Sequence, residues 1–314
     1  METKSTRTQY VPVEIIGDVD DDIDLDEEVV LDLSQPGLSL DHSNKVSHYK
    51  VSHYHAMFTN IVNKNKQTSK PNKRTKSVKK EETSDCGSHQ PRQILNTPLR
   101  KYNCEDPLTL EIGVDEAGRG PLFGRVYSGA VILPKDDTFD HSLMKDSKKF
   151  HSKKKIAEVA QYIQTHALAW GVGYCTEQTI DDINILQATQ QSMHKAIAAA
   201  LKNIGPFSST LKPHLLIDGN YFKPYTHNSD HVPLPYTTVE GGDNTYTSIA
   251  AASILAKVAR DDYIDELCSE NPELEEHYGI ASNKGYGAKR HIDGIKAHGI
   301  TIWHRRSFGI CKQY

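Results

Sequence analysis

Charge segregation in the first hundred residues confines any packed core to the rest of the chain. Residues 18–28 (DVDDDIDLDEE) carry eight acids in eleven positions, and residues 64–80 (KNKQTSKPNKRTKSVKK) carry eight Lys or Arg and no acid. Such like-charge blocks repel and bury too little apolar surface to offset the entropy lost on folding. We therefore predict a disordered N-terminal extension over 1–103 and a single folded domain over 104–314.

The extension itself leaves two interpretations open. Its basic block is typical of a nuclear-import signal or a nucleic-acid tether, and the alternative is a flexible tail that only aids solubility. A tandem repeat, KVSHY-KVSHY at 45–54, and the apolar run VEIIG at 13–17 precede the basic block. Contacts with protein or nucleic acid through this extension are therefore an open expectation.

Composition excludes several classes of protein. No apolar run reaches the roughly 18 residues that a membrane-spanning helix requires, and the N-terminus METKSTRTQY lacks the apolar segment of a secretory signal. The five cysteines are scattered and form no Cys-x-x-Cys pair, which disfavours a cysteine zinc site and suits a reducing compartment. We expect an intracellular monomer with no membrane partner, cytoplasmic or, given the basic block, nuclear.

Hydrophobic patterning after residue 107 alternates between strands and helices. Two strands come first and α/β alternation follows, which predicts an α/β protein with a mixed β-sheet flanked by helices and a helical C-terminal part. The segment 178–203 is compatible with one helix or two. The predicted strands are 108–116, 127–134, 168–176, 214–220 and about 235–240, and the predicted helices are 152–167, 178–203, 245–267 and 288–298.

Carboxylates occupy three of the predicted strand or loop ends. Asp115 and Glu116 end the first strand, Asp218 ends the fourth, and Asp243 follows the fifth in the run EGGDN. Asp beside Gly is common in turns, so Asp218 and Asp243 taken alone would more often mark turns. The adjacent pair needs another explanation, because grouped carboxylates repel and the pKa of one rises unless a cation is present. The strand ends therefore predict a metal site.

The ligand chemistry indicates a hard divalent cation. These acids have no His or Cys partner, and oxygen ligands favour Mg²⁺ or Mn²⁺ over zinc. Two such ions about 4 Å apart would suit in-line attack of water on a phosphodiester, one activating the water and one stabilising the leaving oxygen. The expectation of two ions comes from that chemistry and not from the spacing of the residues.

The glycine-rich run GRGPLFG (118–124) differs from a dinucleotide-binding motif. Its third glycine comes one residue late for G-x-G-x-x-G, and Asp115 and Glu116 would repel a pyrophosphate placed beside them. The remaining interpretation is a tight loop whose backbone N–H groups approach a polymer, with Arg119 near a phosphate.

Two basic runs accompany the acidic motifs. Residues 145–155 (KDSKKFHSKKK) hold six lysines and one acid, and residues 284–306 hold six Lys or Arg with Tyr286 and Trp303 interleaved. Basic side chains with interleaved aromatics are typical of a surface that follows a nucleic-acid backbone. Either run alone would equally suit an ordinary solvated face. Together with an acidic centre they favour a nuclease.

The chain resembles a type 2 ribonuclease H, the ribonuclease HII family, over roughly residues 108–312. The resemblance implies a ribonuclease H-like fold and an endoribonuclease that hydrolyses the RNA strand of RNA–DNA hybrids. It also implies incision 5′ of a ribonucleotide embedded in duplex DNA, leaving 3′-hydroxyl and 5′-phosphate ends. The motifs that carry the resemblance, in family order, are GVDEAGRGPLFG (113–124), KDSKKF (145–150), INILQAT (183–189), LIDGN (216–220), GD (242–243), SIAAASILAKVARD (248–261), KGYGAKRH (284–291) and HRRSFG (304–309).

The same resemblance implies roles for individual residues. The metal-binding catalytic carboxylates would be Asp115, Glu116, Asp218 and Asp243. The loop Gly118, Arg119 and Gly120 would sense the ribose 2′-hydroxyl, the group that distinguishes the two sugars, and Tyr286 would pack at the ribose–deoxyribose junction. The residues implied near the substrate backbone are Asp146, Ser147, Lys148, Ser253 and Lys257.

One position departs from the family pattern, and two alternatives stay open. Many members have Lys-Gly-Asp before the last acid, whereas this chain has Gly241-Gly242-Asp243, which predicts weaker backbone binding or altered metal affinity. A ribonuclease HIII-like enzyme would act on long hybrids only. That branch carries an N-terminal substrate-binding domain of similar length, from which the charge-segregated 1–103 differs. The second alternative is a non-catalytic hybrid-binding protein.

Overall fold

The computed structural model describes residues 98–205, 210–227 and 232–314. The predicted extension over 1–103, with its acidic block, repeat and basic block, lies outside the described residues except for 98–103. Among the described residues, no helix combines the length and apolar character needed to cross a membrane.

The segment just before the first strand packs against the folded domain. Arg100 forms a parallel β-bridge with Tyr246, and the backbone N–H of Cys104 donates to Glu111 Oε1 at 2.6 Å. These contacts lie on both sides of the expected boundary between 103 and 104. The position of that boundary therefore stays a prediction.

A five-stranded mixed sheet forms the centre of the domain, in the strand order β3-β2-β1-β4-β5. Strands β1, β4 and β5 run parallel, and β2 is antiparallel to both β1 and β3. Every predicted strand is present, with ends displaced by one or two residues. The strands are β1 Thr109–Ala117, β2 Val126–Ile132, β3 Ala169–Cys175, β4 Lys212–Asp218 and β5 Tyr236–Val239. The predicted mixed α/β sheet is confirmed.

Helices cover the sheet and form the C-terminal part of the domain. Four of them were expected from the sequence, whereas α4 and α5 span only six and four residues, too few to show a helical period. In the described residues the α-helices are α1 Lys153–His166, α2 Glu177–Ile204, α3 Thr247–Glu270, α4 Glu273–Tyr278, α5 Ile280–Asn283 and α6 Lys289–His298.

The segment α2 consists of two helical stretches separated at Asn184. This residue has a positive φ of 68°, and its Oδ1 accepts the backbone N–H groups of Leu186 at 3.0 Å and Gln187 at 3.2 Å. It therefore caps the start of the second stretch. Of the two expectations for this segment, two helices is the one that holds.

Strand glycines let helices lie directly on both faces of the sheet. A Cβ at Gly113 would lie 2.2 Å from the carbonyl carbon of Ser248 on α3, and one at Gly171 would lie 2.4 Å from the carbonyl oxygen of Ala196 on α2. The two glycines occupy alternate rows of the sheet, so they face opposite sides. The Ala/Ser-rich helix α3 therefore lies directly against the sheet.

The C-terminal helices pack around the loop that joins β1 to β2. Phe123 of that loop is fully buried in a cluster with Ile264, Leu274, Tyr278 and Ile295. This cluster holds the glycine-rich loop against α3, α4 and α6, beside the end of β1 where the acidic residues lie.

Candidate active site

Sheet register brings three acids to one edge of the sheet. Val114 of β1 pairs with Ile217 of β4, so the residues that follow, Asp115 and Asp218, lie side by side. Asp218 in turn pairs with Val239 at the end of β5. Asp243 follows shortly after, in the 3-10 helix Gly242–Asn244. Ligands of open α/β sheets bind at the carboxyl ends of parallel strands, so the acids occupy the expected place for a site.

Glu116 lies on the same strand as Asp115 but is not its last residue. Strand β1 continues to Ala117, and Glu116 pairs with Ser128 of β2, so the prediction that the strand ends at the acid pair is wrong by one residue. The Glu116 carboxylate accepts from Arg119 Nη1 at 3.3 Å. Glu116 nevertheless interacts electrostatically with Asp115 and Asp218, so all four predicted acids belong to one group.

Burial and mutual repulsion disfavour ionisation of these acids. Burial, followed by the charges of Glu116 and Asp218, holds the pKa of Asp115 well above its usual range. Burial also raises the pKa of Glu116, against the opposing effect of the Arg119 cation. The pKa of Asp243 is raised by burial and by the charges of Asp146 and Asp218. Carboxylates in this condition gain stability when a cation binds them.

Neighbouring groups orient the Asp115 carboxylate. The backbone N–H of Glu116 donates to Asp115 Oδ1 at 2.7 Å, and a hydrogen bond from the Ser253 side chain acts to lower the Asp115 pKa. Ser253 Oγ is also 3.0 Å from Ser147 Oγ. Ser253 therefore orients the Asp115 carboxylate, and Ser147 contacts Ser253; the expected contacts of both serines with the substrate backbone stay predictions.

Asn244 is a site residue that the sequence did not single out. Its Nδ2 donates to Asp243 Oδ1 at 3.0 Å and to Asp146 Oδ2 at 3.2 Å, and its Oδ1 accepts from Lys149 Nζ. This network ties the segment that carries Asp146 to the last acid. In sequence, an Asn after Gly-Gly-Asp looks like an ordinary turn residue, and nothing in the spacing distinguishes it.

Lys148 supplies a positive charge at the edge of the acidic group. Burial acts to lower the pKa of Lys148, but the carboxylates of Asp243 and Asp146 outweigh this effect and raise that pKa. The lysine therefore stays cationic beside the acids. Lys257, by contrast, pairs with Asp261 at 2.5 Å, so its contact with a substrate phosphate stays a prediction.

The four acids fit a divalent cation in chemistry, and less closely in geometry. Carboxylate oxygens without His or Cys are the donors that Mg²⁺ and Mn²⁺ prefer. Among the described residues, however, no three His, Cys, Asp or Glu side chains are grouped at metal-binding geometry. The acids nevertheless lie near enough to one another that, besides burial, the charges of neighbouring carboxylates raise the pKa of Asp115, Glu116 and Asp243. Coordination by three or more of them requires the side chains to draw together.

The predicted sugar-sensing residues form one surface beside Glu116. Gly118 has a φ of +94°, and a Cβ there would lie 2.3 Å from Arg260 Nε. A Cβ at Gly120 would lie 3.5 Å from Cε1 of Tyr286, whose side chain is half exposed. The glycine-rich loop and the aromatic ring are therefore immediate neighbours, although the sequence separates them widely.

The second basic run does not form the continuous basic surface that we predicted. Arg305 is fully buried, as are His291 and His304, and Trp303 packs against the C-terminal cluster. The prediction is wrong for Arg305, because a basic side chain that binds carbonyl groups in the interior has the same sequence signature as a solvated one; Lys289, Arg290, Lys296 and Arg306 are exposed. Three further residues of the run are paired with acids: Lys284 with Asp265, Lys289 with Asp293, and Arg290 with Glu275.

Sequence comparisons with known proteins agree on one family. A family model described as Ribonuclease HII matches residues 112–311. The chain is 47% identical over 202 residues to the ribonuclease HII of Phocaeicola vulgatus, a match that covers 64% of this chain and 90% of that protein. The ribonuclease HII of Vibrio vulnificus strain YJ016 is 41% identical over 197 residues, with 62% and 84% covered. The solved ribonuclease H2 from Pyrococcus horikoshii OT3 superposes with a TM-score of 0.49 at 19% identity, covering 65% of this chain and 95% of that one.

Proposed function

The chain belongs to the ribonuclease HII family, and from this we propose that its acidic site cleaves the RNA strand of RNA–DNA hybrids and incises duplex DNA 5′ of an embedded ribonucleotide. One observation carries the proposal. The acids at the ends of β1 and β4 lie beside a glycine-rich loop that contacts Tyr286. The acids suit chemistry at a phosphodiester, and the adjoining loop and ring suit recognition of the sugar next to it.

We propose that Asp115, Glu116, Asp218 and Asp243 hold Mg²⁺ or Mn²⁺, with two ions in the working enzyme. Bound there, such ions would supply a water of lowered pKa and neutralise charge on the leaving oxygen. The chain itself orients the ligands. The Glu116 N–H and Ser253 direct Asp115, and the N–H of Gly242 donates to Asp218 Oδ1 at 2.6 Å.

Cationic groups next to the acids bind the phosphate backbone. Lys148 stays protonated among the carboxylates, and the Arg119 side chain is exposed next to Glu116. Both can approach a phosphate while the acids face the scissile bond. Because phosphate contacts position a nucleic acid and do not report its sugar, these side chains set the register of the substrate and leave discrimination to the loop.

We assign sugar discrimination to Gly118, Arg119, Gly120 and Tyr286. A Cβ at Gly120 would lie 3.5 Å from the Tyr286 ring, so the loop and the ring are near enough to contact the same nucleotide step. A ribose 2′-hydroxyl can both donate and accept hydrogen bonds, so backbone groups of the loop suffice to recognise it. The ring then packs against the sugar that follows.

The alternatives make different predictions for the same substrates. A ribonuclease HIII-like enzyme would cut long hybrids and leave a single embedded ribonucleotide intact. A non-catalytic hybrid-binding protein would need no group of four acids at the strand ends. The presence of these acids therefore disfavours a purely binding function. A monomeric state, an intracellular location and contacts through the extension stay predictions. The relatives matched here are bacterial, and a nuclear location gains no support from them.

The test is an incision assay on two labelled substrates, a long RNA–DNA hybrid and a DNA duplex with one ribonucleotide, each with Mg²⁺ or Mn²⁺. We expect both to be cut, the second on the 5′ side of the ribonucleotide with a 3′-hydroxyl end. Cleavage of the hybrid alone would indicate the HIII-like activity. Tight binding without incision at any metal concentration would indicate a binding protein.

A further inference from the structure

We propose that His304 and Arg305 are positioning residues that hold the loop 118–125 and Tyr286 in register with each other, and so fix the place where the ribose is recognised. The inference rests on the proposed function, because it assigns meaning to the relative position of two elements that would contact the sugar. It concerns side chains that lie in the interior and touch no substrate themselves.

Arg305 binds the loop through its whole guanidinium group. The side chain is fully buried. It donates hydrogen bonds to five loop carbonyls, and a guanidinium carries five N–H donors. Burial and the neighbouring Arg260 cation lower the pKa of Arg305 to about 9, so it remains protonated at neutral pH. Its acceptors are the carbonyl oxygens of Gly118 at 2.6 Å, Arg119 at 3.1 Å, Pro121 at 2.9 Å, Gly124 at 2.8 Å and Arg125 at 3.1 Å.

These contacts determine which way the loop amides face. The described backbone contains no cis peptide bond, and in a planar trans peptide the C=O and the following N–H point in opposite directions. Because the carbonyls of Gly118 and Arg119 point inward to Arg305, the N–H groups of Arg119 and Gly120 point outward. Both residues are exposed. Arg305 therefore presents two backbone donors on the face where Tyr286 lies.

His304 reaches the other element through a chain of hydrogen bonds. His304 Nδ1 accepts the backbone N–H of Thr301 at 2.9 Å, so its proton lies on Nε2. His304 Nε2 is 3.1 Å from His291 Nε2 and donates to it. His291 then carries its proton on Nδ1 and donates to the carbonyl oxygen of Tyr286 at 2.9 Å. The neutral tautomers of both histidines follow from these partners, and the chain ends on the backbone of the aromatic residue.

The backbone joins the two side-chain systems. His304 forms an antiparallel β-bridge with Phe123 of the loop, and the N–H of Arg305 donates to the carbonyl of Leu122 at 2.8 Å. Two adjacent residues thus connect to both recognition elements, one through its guanidinium and one through its imidazole.

Arg260 of α3 closes the arrangement from the opposite side. It is buried, and its Nη2 donates to the carbonyl oxygens of Phe123 at 3.2 Å and Lys284 at 2.9 Å. Lys284 lies two residues before Tyr286, so Arg260 links the same two elements. A shift of the loop against the ring would break hydrogen bonds of Arg260 or the bond between His304 and His291.

The test compares Arg305→Lys with Lys312→Arg, a change at an exposed basic residue outside both basic runs, as the control. Lysine keeps the charge but has one nitrogen, which cannot span five carbonyls. We expect kcat/KM for the single-ribonucleotide duplex to fall at least tenfold more than kcat/KM for a long hybrid, which offers many cleavage registers. The control should match the wild type on both substrates. Equal losses on the two substrates, or none, would overturn the proposal.

A second pair of variants keeps the test decisive if Arg305→Lys fails to fold. His291→Asn keeps a donor near the Nδ1 position and should retain most discrimination between the two substrates. His291→Gln places its amide near the Nε2 position and should lose that discrimination. Better discrimination by His291→Gln than by His291→Asn, or equal discrimination by the two variants, would contradict the proposed series of hydrogen bonds from His304 to Tyr286.

Hydrogen–deuterium exchange separates failure of this inference from failure of the proposed function. Exchange in peptides covering 118–125 should be faster in Arg305→Lys than in the Lys312→Arg control, whatever the activity. Unchanged exchange would remove the positioning role even in an active enzyme. Absence of incision by the wild type would instead remove the proposed function.

Discussion

The backbone N–H of Gly242 donates to Asp218 Oδ1 at 2.6 Å, so one of the four acids is bonded to the residue that precedes another. It ties the segment that carries Asp243 to the end of β4. A Cβ at Gly242 would lie 3.2 Å from that same Asp218 oxygen and 2.6 Å from Ile249 Cδ1. The Gly-Asp pair is thus explained by close backbone approach to the neighbouring acid.

Gly241, the position where many family members have lysine, can accept that lysine at a modest cost. It adopts a left-handed conformation with φ 65°, and a Cβ there would meet nothing within 4 Å. We expect Gly241→Lys to lose about 1 kcal/mol of unfolding free energy and to lower KM for nucleic acid at low salt. Gly241→Met carries the same strain without the charge. Equal KM values for the two variants would contradict a role for the charge.

Tyr286→Ala should reduce incision at a single ribonucleotide more than cleavage of a long hybrid. The ring lies against Gly120, where it would mark one junction, and a long hybrid can be cut in many registers. Tyr286→Phe keeps the ring and should behave like the wild type on both substrates. Steady-state rates on the two substrates measure the effect, and a parallel loss on both would remove the junction role.

Acidification below pH 6.5 should destabilise the domain through His304. Burial, then the charge of His291, lowers the His304 pKa to about 3, and its ring packs against Phe123 and Tyr278. At His304 the folded state therefore binds fewer protons than the unfolded state between about pH 6.5 and 3. The contribution of neutral His304 to the free energy of unfolding is complete above the pKa of 6.5 in the unfolded chain. It decreases as the pH falls toward the pKa of about 3 in the folded protein.

Urea unfolding between about pH 7.5 and pH 4.5 measures this dependence. One histidine contributes at most ~1.4 kcal/mol of unfolding free energy per pH unit. Burial lowers the His291 pKa as well, so the two histidines act in the same direction. A His304→Gln variant should show a shallower pH dependence than the wild type. Identical slopes would mean that His304 does not titrate in this way.

Two truncations test the N-terminal extension and its boundary. Removal of 1–97 should leave incision unchanged, because the acids and the recognition loop lie beyond residue 110. Removal of 1–103 also deletes the Arg100 bridge to Tyr246 and should lower the melting temperature relative to the shorter deletion. Thermal unfolding and the two-substrate assay compare the two truncated proteins. Loss of incision on removal of 1–97 would assign the extension a part in catalysis.

Much of the fold follows from local patterns in the sequence. The buried runs of β1 and β2 are separated by one glycine-rich loop, and their apolar patterns predict their ends to within one or two residues. The acids at the ends of β1 and β4 could be grouped from sequence, since carboxyl ends of parallel strands share an edge of the sheet. The short helices α4 and α5 could not be predicted, because a turn or two of helix shows no period.

The interior polar contacts could not be predicted from the sequence for a different reason. Arg305 belongs to a basic run, and nothing local distinguishes an arginine that binds five loop carbonyls from one in solvent. Asn244 likewise has the signature of a turn. Their roles depend on tertiary partners such as Gly118 and Asp146, which are distant in sequence, so they emerge only from the three-dimensional arrangement.

Asp115→Asn removes one carboxylate from the group of four acids and tests whether they form a metal-dependent hydrolytic site. The measurement is the incision rate of a single-ribonucleotide duplex over a range of Mg²⁺ and Mn²⁺ concentrations, beside the binding affinity for the same duplex. Asp293→Asn, an exposed acid paired with Lys289, is the matched control. We predict a fall in rate of about 10³-fold or more with binding preserved. Incision near the wild-type rate would contradict a metal-dependent hydrolytic site at these four acids.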